Sequence, residues 1–284
     1  MDYRKKFLVK PGSKVNLNKI DPDFTDVYEN KEEALEQLEQ NTAKLAELQY
    51  KLYSENKQSL LIVLQAMDAG GKDGTIKHVM GPMNPQSCRV HSYKQPSSEE
   101  LDHDFLWRIH RFAPRNGEVV IYNRSHYEDV LVVRVHDLVP KEIWSRRYEF
   151  INDFEKMLSF HKVKIVKLFL HITQEEQLKR FRKRLERPDK QWKISECDYK
   201  ERQYWNDYTK AFEDAMEKCS TCHSPWYIIP ANHKWFRNLS VSQILIDTME
   251  DMKMKLPEPE VDIEHIRLLA IAEEEKARNT KKNS

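Results

Sequence analysis

The segment Gly70-Gly71-Lys72-Asp73-Gly74-Thr75 follows directly on an apolar run, Leu60–Ala66, and leads into a helical pattern. A strand that runs into a glycine turn, a lysine and a helix start is an arrangement that binds phosphate. Gly70 and Gly71 let the backbone curve tightly, so that successive N–H groups can face an anion. Lys72 adds a point charge, the helix start adds partial positive charge, and Asp73, Gly74 and Thr75 complete the anion-facing stretch. The spacing departs from G-x-x-x-x-G-K-[ST]: Ala66 stands at the first glycine, and Asp73 replaces the hydroxyl that usually meets a metal. With Asp73 there, a nearby carboxylate such as Asp68 must help to hold Mg²⁺. An ordinary strand-to-helix turn is the competing reading.

A second tip and a basic helix carry the remaining chemistry. The run Glu118–Tyr122 ends at Asn123-Arg124-Ser125, with Glu128 and Asp129 close behind. Beside a phosphate loop, such a strand usually supplies a carboxylate to the metal's shell. Asn123 occupies that position here, and Arg124 can grip phosphate bidentately or simply pair with Glu128. Further on, Lys179, Arg180, Arg182, Lys183, Arg184, Arg187, Lys190 and Lys193 crowd together, opposed by Glu186 and Asp189. This patch reads as a solvated helix face, a nucleic-acid surface, or a lid whose arginines close over a transferring phosphoryl group. The lid, over residues 178–200, is preferred because Pro188 and Trp192 mark a defined turn.

Five short apolar runs must position these groups: Leu60–Ala66, Cys88–Tyr93, Glu118–Tyr122, Val163–Ile172 and Trp226–Pro230. Helical patterns separate them. Leucines at helical spacing predict a helix over Lys31–Lys57, and Ile143, Ile151, Phe154 and Leu158 share one face of Lys141–Phe160. Ser97 with Glu100 and Thr173 with Glu176 read as capping boxes, and Ser240 with Gln243 as the start of a last long helix through Met254. Strands alternating with helices predict an α/β fold with a mainly parallel five-stranded sheet, covered on both faces. With no repeat and no flexible linker, residues 1–284 read as one domain. Residues 1–30 read as an irregular arm, and the charged tail 258–284 as a short helix followed by disorder.

Together these segments resemble the polyphosphate kinase 2 family over roughly residues 30–255. The resemblance is carried by Asp68-Ala-Gly-Gly-Lys72-Asp73-Gly74-Thr75, by Asn123-Arg124-Ser125-His126-Tyr127-Glu128-Asp129, and by Lys190-Gln191-Trp192-Lys193. Pro225-Trp226-Tyr227-Ile228-Ile229-Pro230-Ala231, followed by Lys234-Trp235, adds to it. The resemblance implies a P-loop kinase core with a helical lid, similar to thymidylate kinase, in a homo-oligomer (dimer or tetramer). It implies phosphoryl transfer from inorganic polyphosphate to AMP and ADP, forming ADP and ATP reversibly with Mg²⁺ or Mn²⁺. Asp68 would touch the metal or the nucleophilic phosphate, and Lys72 would bind the phosphate in transfer. Arg124 and the lid residues Arg180, Arg184 and Lys193 would stabilise the transition state and hold the chain. Many family members have Asp-Arg-Ser-Trp-Tyr where this chain has Asn123-Arg-Ser-His-Tyr. The variant resembles the subgroup that phosphorylates both acceptors, and it makes Glu128 the candidate metal ligand in place of Asn123.

Composition bounds the alternatives. The 284 residues carry a formal net charge of +1, so bulk electrostatics select neither nucleic acid nor membrane. No apolar run is long enough for a membrane span or a signal core. Four scattered cysteines give no disulfide framework, which fits a reduced, cytoplasmic protein. Cys219-Ser-Thr-Cys222-His223 matches the c-type haem pattern, but attachment normally follows export, and no haem is expected. The competing functions are an ATP-dependent nucleotide kinase of the same fold and a nucleic-acid-binding module using the basic helix.

Overall fold

The computed structural model describes residues 1–26, 28 and 31–282. Residues 27, 29 and 30 of the arm and 283 and 284 of the tail lie outside the described residues. The five expected strands form one wholly parallel sheet: β1 (Ser59–Ala66), β2 (Cys88–Ser92), β3 (Val119–Asn123), β4 (Val163–His171) and β5 (Trp226–Pro230). Their order is β2-β3-β1-β4-β5. β1 is therefore flanked on both sides, pairing Ile62 with Ile121 of β3 and with Val166 of β4. Its residues are buried throughout because both faces are covered. Leu60, Ile62 and Leu64 pack on one side with the helices Lys31–Glu55 and Lys234–Asp251, while Leu61 and Val63 pack on the other with Lys141–Phe160 and Trp205–Cys219.

Three local expectations change. The helix Lys141–Phe160 buries Trp144, Tyr148, Ile151, Phe154 and Leu158, whereas Ile143 is exposed. The two aromatics, one turn apart, bury more surface than Ile143 and set the rotation. The last long helix starts at Lys234, not Ser240, and the Ser240 hydroxyl donates back to the Phe236 carbonyl. The arm contains a short helix, Tyr3–Phe7, whose aromatic rings pack on Phe236, and the Val9 N–H donates to the Trp226 carbonyl on the β5 edge at 2.9 Å.

Met1–Met254 form one compact unit and Lys255–Ser284 a second. The second contains a helix, Ile263–Lys282, where the charged tail predicted only a short one. Pairs three residues apart, Arg267 with Glu264 and Lys276 with Glu273, support it. Among the described residues no helix is long and apolar enough to cross a membrane.

One polar group sits deep between sheet and helix. Glu155, fully buried on Lys141–Phe160, accepts from Lys167 Nζ of β4 at 2.5 Å and from the Tyr127 hydroxyl at 2.9 Å. Burial pushes its carboxyl up, but Lys167 and then His126 outweigh this and hold it at about 2, against an ordinary 4.5. Unfolding therefore takes up a proton. The stabilisation is fully present above pH 4.5 and drains away as pH falls toward 2. Thermal melts of the wild type should fall more steeply between pH 4.5 and 3 than those of Glu155→Gln. Parallel curves would mean that this carboxyl titrates as if exposed.

Candidate active site

Every group singled out from the sequence leaves the carboxyl ends of the central strands. In open parallel sheets ligands bind there, where neighbouring connections diverge. After β1 the chain turns through Met67–Gly71, with the Gly70 N–H bonded to the Met67 carbonyl at 2.9 Å. Gly71 has φ +111°, a left-handed conformation that favours glycine. A Cβ on Gly71 would also fall 1.9 Å from Arg237 Nη1, and one on Gly70 would fall 2.4 Å from the Ala66 Cβ. Both positions require glycine. Ala66, standing where the common pattern has its first glycine, is a strand residue packed against the loop.

Helical structure begins at Lys72 and passes into a π-helical stretch at Ile76–Met80. Lys72 folds back to donate to the Ala66 carbonyl at 3.1 Å. Burial, and then the charge of Arg124, lower its pKa below the ordinary lysine value, with Asp68, Glu128 and Asp73 opposing. Thr75 is buried, its hydroxyl bonded to the Gly71 carbonyl, and it tightens the loop from behind.

Arg124 sits just past β3 with φ +62°, a left-handed conformation costing a non-glycine residue roughly 1–2 kcal/mol. That turn aims its guanidinium across β1. Its Nη2 donates to Asp68 Oδ1 at 3.0 Å, and its Nη1 lies 3.8 Å from Glu128 Oε2. Arg124, Lys72, Asp68 and Glu128 are thereby brought together. Asn123 lies apart from this set: its amide donates to Asp73 Oδ1 at 3.0 Å, and Lys193 Nζ donates to Asp73 Oδ2 at 2.9 Å. Burial pushes Asp73 up, but the hydrogen bonds from Lys193 and Asn123 hold its carboxyl below the ordinary value. Asp73 thus fastens the basic segment to the loop.

The basic segment divides into two parts. In the helix Gln174–Leu185, residues Gln177, Arg180 and Phe181 face inward. Thr173 caps the helix as predicted, but Glu176 does not complete the box and instead accepts from Arg180 Nε at 2.8 Å. The Arg180 guanidinium donates to the Ala69, Gly70, Ala231 and Asn232 carbonyls, tying the phosphate loop to the end of β5. The more open part follows, as the 3₁₀ turn Pro188–Lys193 and the helix Glu196–Glu201. Arg184 donates to the Lys193 carbonyl at 3.1 Å and bridges the two parts.

Two further cations belong to the site. Arg237, only 2% exposed, presses on Gly71, and its guanidinium bonds go to the Asn238 amide oxygen rather than to a carboxylate. Burial, and next the charge of Arg180, drag its pKa down to about 9. Lys234, at the start of the same helix, is lowered by burial and by Arg180, Arg237, Lys183 and Lys190. A cluster of cations that depress one another is a field waiting for polyanion. The available signal was one arginine beside Trp235, Phe236 and Leu239 on a helix that carries no further charge until Asp247.

A cavity of about 260 Å³ opens beside the loop. Asp68, Arg124 and Glu128 line it, as do Trp205, Tyr208 and Phe212. It offers charge for phosphate and flat apolar walls for a ring. Elsewhere, Cys219 is buried with its thiol toward the Tyr148 carbonyl, while Cys222 is exposed.

A phosphate loop on a parallel sheet, with a lysine, a strand-end arginine and an arginine-rich helix closing over it, defines a P-loop kinase. Residues 28–257 match the family model described as Polyphosphate kinase 2 (PPK2). An AMP/ADP-polyphosphate phosphotransferase of Meiothermus ruber is 48% identical over 92% of this chain and 98% of its own length. An ADP-polyphosphate phosphotransferase of Rhodopseudomonas palustris is 45% identical over 89% and 92%. The crystal structure of polyphosphate kinase 2 from Arthrobacter aurescens TC1 superposes with a TM-score of 0.92 at 40% identity, covering 96% of this chain and 97% of that one. The chain belongs to the polyphosphate kinase 2 family.

Proposed function

We propose that this chain phosphorylates AMP and ADP from inorganic polyphosphate, forming ADP and ATP, and runs in reverse when ATP is abundant. The observation that carries this reading is the convergence of Arg124, Asp68 and Glu128 on a cavity with aromatic walls, beside the loop lysine Lys72 whose charge they feel. The nucleotide's base would lie against Trp205, Tyr208 and Phe212, with its phosphates toward Arg124. The polyphosphate chain would run along the opposite cations, Arg237, Lys234 and the lid residues Lys193 and Arg184. A phosphate nucleophile is already anionic near neutral pH, so alignment and charge neutralisation suffice and no strong base is required.

Mg²⁺, with Mn²⁺ as a substitute, fits the residues present. Among the described residues no three His, Cys, Asp or Glu side chains form a cage. Magnesium usually takes only one or two carboxylates and completes its shell with water and substrate phosphates. Asp68 and Glu128, hard oxygen donors on the same cavity, would hold it, and it would neutralise phosphate charge when bound. Asn123, engaged with Asp73, is the poorer candidate. The homo-oligomer and the reduced cytoplasmic setting expected from the sequence accompany this reading.

The test supplies purified protein with Mg²⁺ and polyphosphate but no ATP, and offers AMP and ADP separately. Product from both is expected. Product from ADP alone would refute the two-acceptor reading. Activity with ATP as donor and none with polyphosphate would replace the proposal by an ATP-dependent nucleotide kinase.

A further inference from the structure

A fully buried ionic group lies directly behind the strand-end arginine, and the reaction as described makes no use of it. The three residues after Arg124 do not form a free loop. Ser125 is buried, accepts from Gln65 Nε2 at 3.2 Å and caps the Tyr127 N–H at 3.2 Å. His126 and Tyr127 are likewise fully buried, and both meet Glu155 Oε1, at 3.1 and 2.9 Å. Lys167, in the centre of β4, then spends its three N–H donors on Glu155 Oε2 (2.5 Å), Cys219 O (2.6 Å) and the Tyr127 hydroxyl (2.8 Å). Four pieces of chain thus meet at one point: the β3 tip, the helix Lys141–Phe160, β4 and the end of Trp205–Cys219.

An ion pair withdrawn this far from water is often no more stabilising than apolar residues of the same volume. What it does better than an apolar cluster is fix direction, because each bond has one geometry. Direction is what this segment needs. Arg124 holds a left-handed backbone that its own side chain does not favour, and Glu128 leaves the same short turn. We propose that Lys167 and Glu155, acting through Tyr127 and His126, are positioning residues that hold Arg124 and Glu128 in register with the phosphate loop. The inference rests on Arg124 acting on the transferring phosphoryl group.

Two variants test it: Tyr127→Phe, which keeps the ring and removes both bonds of its hydroxyl, and the double replacement Glu155→Leu with Lys167→Met. In each, kcat should fall about ten- to a hundredfold, the range that small misplacements produce. The KM values for nucleotide and polyphosphate should stay within about twofold, because transition-state alignment is lost and ground-state binding is kept. In an Arg124→Lys background, Tyr127→Phe should add little further loss, since both changes act through one group. Unchanged kcat in Tyr127→Phe would overturn the proposal, whatever the double variant does, and so would a full additional loss in the Arg124→Lys background. If Arg124→Lys alone kept wild-type turnover, the assignment of Arg124 itself would fail, an outcome separate from failure of the network.

Discussion

Lys72→Ala should lower turnover about a thousandfold, close to 4 kcal/mol of transition-state stabilisation, while leaving the fold in place. Lys72 makes one hydrogen bond to the structure, to the Ala66 carbonyl, and such a bond contributes about 1 kcal/mol net. The residue is half-buried, and its ammonium feels the charges of a guanidinium and three carboxylates. Replacing that point charge by a methyl group leaves the carboxylates short of a cation where a phosphoryl group gathers negative charge. Lys72→Arg should also fail to restore the rate, because a planar fork needs room that a compact ammonium does not, and Arg237 already fills the far side of Gly71. Steady-state assays with polyphosphate and ADP, paired with thermal melts, decide it. Turnover within tenfold of wild type in folded Lys72→Ala would move the phosphate site away from this loop.

Four of the strands were legible because each is an apolar run largely buried on both faces, and a run of that kind shows no competing period, whereas β2, at the sheet edge, is half-buried or exposed. All five were placed with ends differing by one residue or less. The glycine turn was equally visible, because Gly70 and Gly71 fall between an apolar strand and a helix start. Side-chain direction inside the basic helix was harder. Arg180 and Arg184 look alike in sequence, yet Arg180 shares the inward stripe of Gln177 and Phe181 and serves the loop's carbonyls. Arg184, one turn on, meets the more open part of the lid. The position of Phe181 held the clue, because a large apolar residue on a charged helix marks the face that is buried.

Partnerships between distant segments were not legible at all. Glu155 lies 29 residues beyond His126, and Lys167 another 12 beyond Glu155. No spacing rule links a helix carboxylate to a strand lysine. His126 therefore gave no sign of its carboxylate partner, and the group behind Arg124 went unseen. Arg237 escaped for the same reason. It reaches the loop only because β5 lies two strands from β1 and its following helix crosses back over the sheet. Sheet order, which sequence does not print, brings it there.

Arg124 offers a sharper test than simple truncation, because its backbone and its side chain can be separated. The left-handed φ of +62° disfavours arginine and alanine alike but suits glycine. Arg124→Gly should therefore melt at or above the temperature of Arg124→Ala, by a margin reflecting about 1 kcal/mol of relieved strain. Both should lose turnover together, by a thousandfold or more, the range seen when an arginine is removed from a phosphoryl-transfer transition state. The contrast matters because lost activity alone is ambiguous: a collapsed loop and a missing guanidinium give the same zero. A glycine variant that is no less stable than the alanine one and still inactive removes the first explanation. Its guanidinium reaches Asp68 at 3.0 Å and faces Glu128, so the two carboxylates are left without their cation in either variant. If Arg124→Gly kept more than a tenth of wild-type turnover, the strained turn after β3 would need another purpose, and the reaction would have to be assigned to Lys72, Arg237 and the lid alone.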